Sequence, residues 1–183
     1  MSTLKVSTIA PLGTDATNTV SLQAGAKTSG FGKIGQVVNS STDFNQTMSA
    51  TSFVDLNSAS GVVWETSITP SSTSAKILIT GCIALNSYYN GGQDGRGSMK
   101  MFHKIGSGSY TETKYYQTST GAYDYGSSGI WSKRDLPIST LLSPSTTSAV
   151  TIKFQMSLNH ASANMVFNTD DSDSQITLME VLD

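Results

Sequence analysis

The sequence predicts an all-β protein, an antiparallel β-sandwich or barrel preceded by an extended N-terminal arm. Three observations predict it. About ten short stretches alternate apolar and polar residues at period two, clusters of Gly, Pro, Asn and Ser separate them, and no stretch keeps helical apolar spacing beyond a turn or two. Composition agrees: Ser and Thr supply roughly 50 of the 183 residues and Gly 16, and these residues favour the pleat and its connections. Apolar residues make up 37%, enough for one core, whereas the charged fraction of 13% is about half of the usual quarter. Hydroxyls and amides must therefore wet the surface.

The first element is the arm, residues 1–33. Leu4, Val6, Ile9, Leu12, Val20 and Leu22 stand singly among Ser, Thr, Asn and Gly. They are too few to make a core, yet their strand-like spacing suits ordering on a partner by strand addition. A single domain over 34–183 follows, and its opening strands are IGQVVNSST, TSFVDL and VVWETSI. SAKILITGCIALNS is apolar on both faces from Ile77 to Leu85 and so belongs in the middle of a sheet. It holds the only cysteine, Cys82, which is expected as an inert core residue.

SMKMFHKI, ETKYYQT and IWSKRDLPI are the next strands. The clearest is AVTIKFQMSLN, where Val150, Ile152, Phe154, Met156 and Leu158 share one face and Thr151, Lys153, Gln155 and Ser157 the other. It reads as a strand with one buried side. NMVF and the terminal SQITLMEVLD complete the series; the latter sets Ile176, Leu178, Glu180 and Leu182 on one side.

ITPSSTSAKILIT and LSPSTTSAVTIKF share a pattern: an apolar residue, a spacer, Pro, a run of small hydroxyl residues, Ala, then a strand. The prolines, Pro70 and Pro144, end one strand because they cannot donate to a ladder, and the Ser/Thr run turns the chain. Two such copies about 74 positions apart predict equivalent corners of a double Greek key. Between them, NSYYNGGQDGRGSM and IGSGSYTETKYYQTSTGAYDYGSSGIW gather most of the tyrosines. Tyr88, Tyr89, Tyr115, Tyr116, Tyr123, Tyr125 and Trp131 have the makeup of a sugar- or protein-binding surface, flat rings of low entropy cost beside adaptable amides. The same rings also suit packing of loops onto the sandwich or onto a neighbouring subunit.

No residue set points to catalysis, a cofactor or a metal. NTDDSDS, with Asp170, Asp171 and Asp173, lacks the glycine and the bidentate glutamate of an EF-hand loop and reads as a solvated turn. His103 and His160 stand far apart with no partner at ligand spacing. GQDGRG and GSGS lack the lysine and the strand-to-helix context of a phosphate loop, and no GxSxG, HExxH or CxxC occurs. A net charge of −2 with scattered lysines and arginines argues against nucleic acid as a partner. No window approaches the roughly 20 apolar residues of a membrane helix, and no apolar signal core opens the chain.

The opening LKVSTI, the corners ITPSSTSAKILIT and SPSTTSAVTIKFQ, and the terminal SQITLMEV together resemble virion structural proteins of marine tailed bacteriophages, often labelled fibre or tail-fibre proteins. The likeness spans most of the chain. It implies a non-enzymatic β-sandwich of jelly-roll type that works as a homotrimer on the virion after assembly in the host cytoplasm. It further implies that the arm, through Leu4, Val6, Ile9, Leu12, Val20 and Leu22, fastens the protein to other virion proteins of tail or capsid. No heptads and no shaft repeat separate arm and domain, so the chain suits a short appendage. A host-surface glycan or protein is the ligand expected of the tyrosine loops. A capsid decoration or cement protein, and a carbohydrate-binding lectin-like module, are the alternatives.

Overall fold

A computed structural model describes residues 33–43, 45–58, 60–89, 97–118, 130–159, 164–168 and 173–182, all within one compact unit, Gly32–Asp183. The arm residues Leu4 to Leu22 lie outside the described residues, as do Tyr123, Tyr125, His160, Asp170 and Asp171. Eleven strands and no helix occur among the described residues: β1 Lys33–Thr42, β2 Gln46–Met48, β3 Val54–Asp55, β4 Glu65–Ile68, β5 Lys76–Tyr89, β6 Gly97–Ile105, β7 Thr111–Thr118, β8 Ile130–Leu142, β9 Val150–Leu158, β10 Asn164–Phe167 and β11 Ser174–Leu182. Each expected strand forms. The addition is β2, three residues too short to show an alternation.

All pairings are antiparallel, in two sheets. The first runs β1, β11, β5, β8, with β10 and then β2 flanking the far half of β5; the second runs β7, β6, β9, with β4 and β3 sharing the outer edge of β9. Leaving aside the short β2, β3 and β10 and counting the other eight from one, the sheets read 1-8-3-6 and 2-7-4-5. That order is the jelly roll, a hairpin ribbon wrapped into a double Greek key.

The ribbon explains the two proline corners. Ile68 of β4 pairs with Val150 of β9, and Ile77 of β5 pairs with Leu142 of β8. The Pro70 and Pro144 segments are therefore the two chains of one double-stranded bend where the ribbon passes between sheets. Both prolines are buried. The chains differ in detail: Ser71 donates to a buried carboxylate, whereas Ser145 takes a left-handed backbone at φ 52°.

Between the sheets, β5 contributes Ile77, Ile79, Ile83 and Leu85, β9 contributes Val150 to Leu158 at alternate positions, and Met99, Met101, Ile176 and Leu178 fill the remainder. Trp64 ties the layers together. Its ring lies 5.8 Å from Phe154 of the second sheet and 5.8 Å from Phe167 of the first, and its indole N–H donates to Ser40 at 3.0 Å.

Two expectations need correction. Cys82 is half-exposed on the outside of the first sheet, opposite Pro137. The inward positions of β5 are odd-numbered, so its even-numbered apolar residues face out. Burial and the nearby Asp135 push its thiol pKa up, which lowers its thiolate fraction at neutral pH. The outer side of β9 is also less open than one-sided burial requires: Thr151 and Ser157 are buried, and Lys153 and Gln155 are half-buried.

Glu180, on the inner face of β11, is 1% exposed. Its carboxylate accepts from the Ser71 amide at 2.5 Å, the Ser71 hydroxyl at 2.7 Å and the Gln36 amide at 3.2 Å. These bonds hold its pKa below the usual glutamate value against the opposing effect of burial. The same carboxylate fills a bulge in β1 between Ile34 and Val37, where a side chain on Gly35 would overlap it. So one buried charge pins the start of β1 to the proline corner.

Two outcomes follow for stability. A methyl on Gly81 would overlap the Gln175 carbonyl and the Ile176 backbone across the β5–β11 pair, so Gly81→Ala lowers unfolding free energy by about 1–3 kcal/mol in denaturant titrations. Glu180→Ala removes the shared acceptor of two part-buried amides and the Ser71 hydroxyl and costs about 1–3 kcal/mol. Because the folded pKa is depressed, the stabilisation from Glu180 is full above the unfolded value of about 4.3 and is lost as pH falls through the folded pKa. Glu180→Gln therefore flattens the acid limb of the stability–pH curve, and an unchanged acid limb would refute this assignment.

Candidate functional site

The outer face of the second sheet collects polar and aromatic groups. Alternation along β6 turns Ser98, Lys100, Phe102 and Lys104 outward while Met99 and Met101 enter the core. The neighbouring strands set Asp55 and Gln155 opposite each other, and Glu65 opposite Lys153. At one end of this face, Tyr110 is held from three sides. Its hydroxyl donates to Glu65 at 2.5 Å, and the ammonium groups of Lys104 and Lys153 lie 4.6 and 4.4 Å from its ring centre. Lys104 also reaches Glu65 at 3.4 Å, Lys153 reaches Asp55 at 2.7 Å, and Gln155 donates to Asp55 at 2.9 Å.

A second group sits further along. Lys100 bridges Glu112 at 2.7 Å and covers the Phe53 ring at 4.6 Å, and Phe53 meets Tyr115 edge-on at 6.4 Å. The Tyr115 hydroxyl donates to Ser98 at 2.7 Å. Three lysines thus face three carboxylates, with aromatic rings between them. An electroneutral lattice of this kind has no net field with which to hold an anion or a cation; its rings and hydroxyls suit a neutral, hydroxylated ligand with an apolar face.

Of the aromatic residues singled out in the sequence, Tyr115 and Tyr116 are fully described, and they part company. Tyr115 is 47% exposed on this face, whereas Tyr116 turns inward against the core and its hydroxyl meets Thr140 of β8 at 2.9 Å, closing the side of the sandwich. Tyr88, Tyr89 and Trp131 stand on β5 and β8, where Tyr88 pairs with Trp131 and Tyr89 with Ile130. Gly97 pairs with Thr118 and Leu158, and Asn164 with Tyr88. The strand ends that flank 90–96, 119–129 and 160–163 therefore neighbour one another at one end of the sandwich. Phe53 and Tyr110 were missed in the sequence because each directly precedes a strand, β3 and β7, and only the register brings them beside lysines of β6 and β9.

His103 is a half-buried strand residue hydrogen-bonded through Nδ1 to Thr113 at 2.7 Å, and burial lowers its pKa. A dent of about 130 Å³ beside it is lined by His103, Lys104, Ile105, Gly108, Ser109 and Thr111. Among the described residues no three His, Cys, Asp or Glu side chains converge as metal ligands.

No protein-family model matches the chain, and no curated protein matches it. Among the solved structures that the chain is similar to are structures of infectious bursal disease virus. The chain is similar to the structure of the Gx strain of infectious bursal disease virus, with TM-score 0.46 and 10% identity, over 94% of this chain and 36% of that one. It is similar also to VP2 in a subviral particle of infectious bursal disease virus, with TM-score 0.38 and 10% identity, over 80% and 32% of the two chains. The chain spans about a third of the length of these two structures' chains.

Burial and Glu65 push the Tyr110 phenol far up. Its folded form keeps the proton after an unfolded tyrosine, near pH 10, has lost it, so its contribution is full below about pH 10 and falls as pH rises further. Tyr110→Phe costs at most about 1 kcal/mol at neutral pH. A double-mutant cycle with Glu65→Gln returns a coupling of the same sign, and zero coupling would count against the bond.

Proposed function

We propose that this chain is a non-enzymatic virion structural protein of a tailed phage, a short fibre or tail appendage. It docks to the particle through residues 1–33 and presents the sandwich as a homotrimer. The observation that carries the reading is the jelly-roll strand order, a scaffold that viral coat and lectin domains use. It stands in a chain whose opening, corners and C-terminus resemble phage fibre proteins. Fold alone admits many functions, so the surfaces matter as well. A low-charge, hydroxyl-rich exterior suits a protein that must persist outside a cell without the help of disulfides.

A carbohydrate-binding role has its own support in the electroneutral face around Phe53, Tyr110 and Tyr115. In the leading reading that face and the tyrosines singled out in the sequence, Tyr88, Tyr89, Tyr123 and Tyr125 with Trp131, meet a host-surface glycan or protein. The exposed apolar residues Ile34, Val37 and Leu141 favour the third reading, a capsid decoration or cement protein.

Removing residues 1–33 is expected to abolish incorporation into particles while the sandwich still unfolds cooperatively; undiminished incorporation overturns the arm. Alanine at Tyr88, Tyr89, Tyr123 and Tyr125 is expected to reduce phage adsorption at least about tenfold, roughly 1.4 kcal/mol. Unchanged adsorption by folded variant particles removes receptor binding through these tyrosines.

A further inference from the structure

The outer face of the first sheet carries an apolar row that crosses four strands. Val37 of β1 pairs with Met179 of β11, Met179 with Leu78 of β5, and Leu78 with Leu141 of β8. Ile34 and Val181 extend the row by one step. Ile34, Val37 and Leu141 are 59, 57 and 55% exposed. A continuous apolar row whose ends are this exposed is uncommon on a surface that stays in water.

The bulge makes this row. Ile34 and Val37 are three positions apart and would point to opposite faces of a regular strand. The extra residue at Gly35–Gln36, held by the buried Glu180 carboxylate, turns both outward. A buried charge, and a glycine whose Cβ would meet its carboxylate, thus place two apolar groups in solvent.

We propose that this face seats a second copy of the chain in a two-fold, self-complementary contact. The next row, Asn39, Thr177, Thr80 and Ser139, consists of groups that both donate and accept, so the pattern can face itself without conflict. Lys76 is the one charged residue among the described residues of these rows, which removes the like-charge opposition that usually forbids a face from meeting its own copy. A partner chosen by charge would find nothing here to read. Four strands at about 4.8 Å and four side-chain rows at about 6.7 Å give roughly 500 Å² on each copy. A pair then covers about 1,000 Å², the threshold of a specific interface. The contact is isologous, so it joins copies in twos whatever other surfaces join them.

The test is the mass of the full chain by sedimentation and light scattering over a wide concentration range, for the native protein and for Val37→Asp/Leu141→Asp. Both positions are exposed, so the variant is expected to keep its unfolding midpoint; Thr80→Arg, at the centre of the face, serves as a second variant. The native protein is expected to form assemblies with an even number of chains, and either variant to halve them, with association weakened at least about tenfold. A trimer held by other surfaces then sediments as six native chains and three variant chains, which separates this contact from the trimer proposed above. An odd number of native chains, a native monomer at every concentration, or equal masses for native and variant proteins would overturn the pairing and assign the face to a different protein.

Discussion

The structure depends on how one strand satisfies its backbone. β5 runs fourteen residues and pairs with β8 along its whole length on one edge, but its other edge is divided. β11 serves it as far as Cys82 and β10 from Leu85 onward. At the junction, the Ala84 amide donates to the Ser174 hydroxyl at 2.8 Å, and the Ala84 carbonyl accepts from the Asn168 amide at 3.1 Å. Ser174 then donates to the Asn168 side chain at 2.5 Å, and that side chain donates to the Thr42 carbonyl at 2.7 Å. Asn168 reaches all this from a left-handed backbone, φ 51°, a conformation that asparagine tolerates better than most residues. Buried amides left open here would each cost about 1–3 kcal/mol, so this small polar node lets a four-stranded sheet gain the β10–β2 flank.

The strands were legible because alternation is a local property. NMVF and SQITLMEVL became strands at almost the expected limits, and the proline corners were recognised from their own residues. What escaped was whatever depends on register. The sequence of β11 shows that Glu180 shares a face with Leu178; it does not show that Ser71 and Gln36 arrive from two other segments to solvate it. Cys82 looked internal because both faces of β5 are apolar, and only the pairing with Pro137 distinguishes them. The candidate recognition face was legible in part: Tyr115 was visible as one of many tyrosines, but Phe53, Tyr110 and their lysines meet only after β3, β4, β6, β7 and β9 have aligned.

The two outer faces divide the chemistry of the molecule. One is a closed lattice in which charges cancel in pairs around aromatic rings; the other, in the rows from Ile34 to Ser139, is apolar and hydroxylic with Lys76 as the one charged residue among those described. Ion pairs between exposed groups add little stability, so the lattice matters chiefly for rigidity, holding Tyr110 and Tyr115 in fixed orientations. Rigid rings lose little entropy on contact with a ligand. The opposite face gains instead from removing water, which makes it suited to lasting contact with protein.

The double-stranded proline corner has a further consequence during synthesis. Its first chain leaves the ribosome about 74 residues before the second, which at 5–20 residues per second is roughly 4–15 s. Through most of that interval β5 lacks β8, and through all of it β4 lacks β9. Pro70, which offers no donor, and the Ser/Thr run after it stand between those two strands, where they interrupt what would otherwise be a continuous sticky segment. A bend that merely turns a ribbon in the finished protein thus also guards the nascent chain against its neighbours on the same messenger.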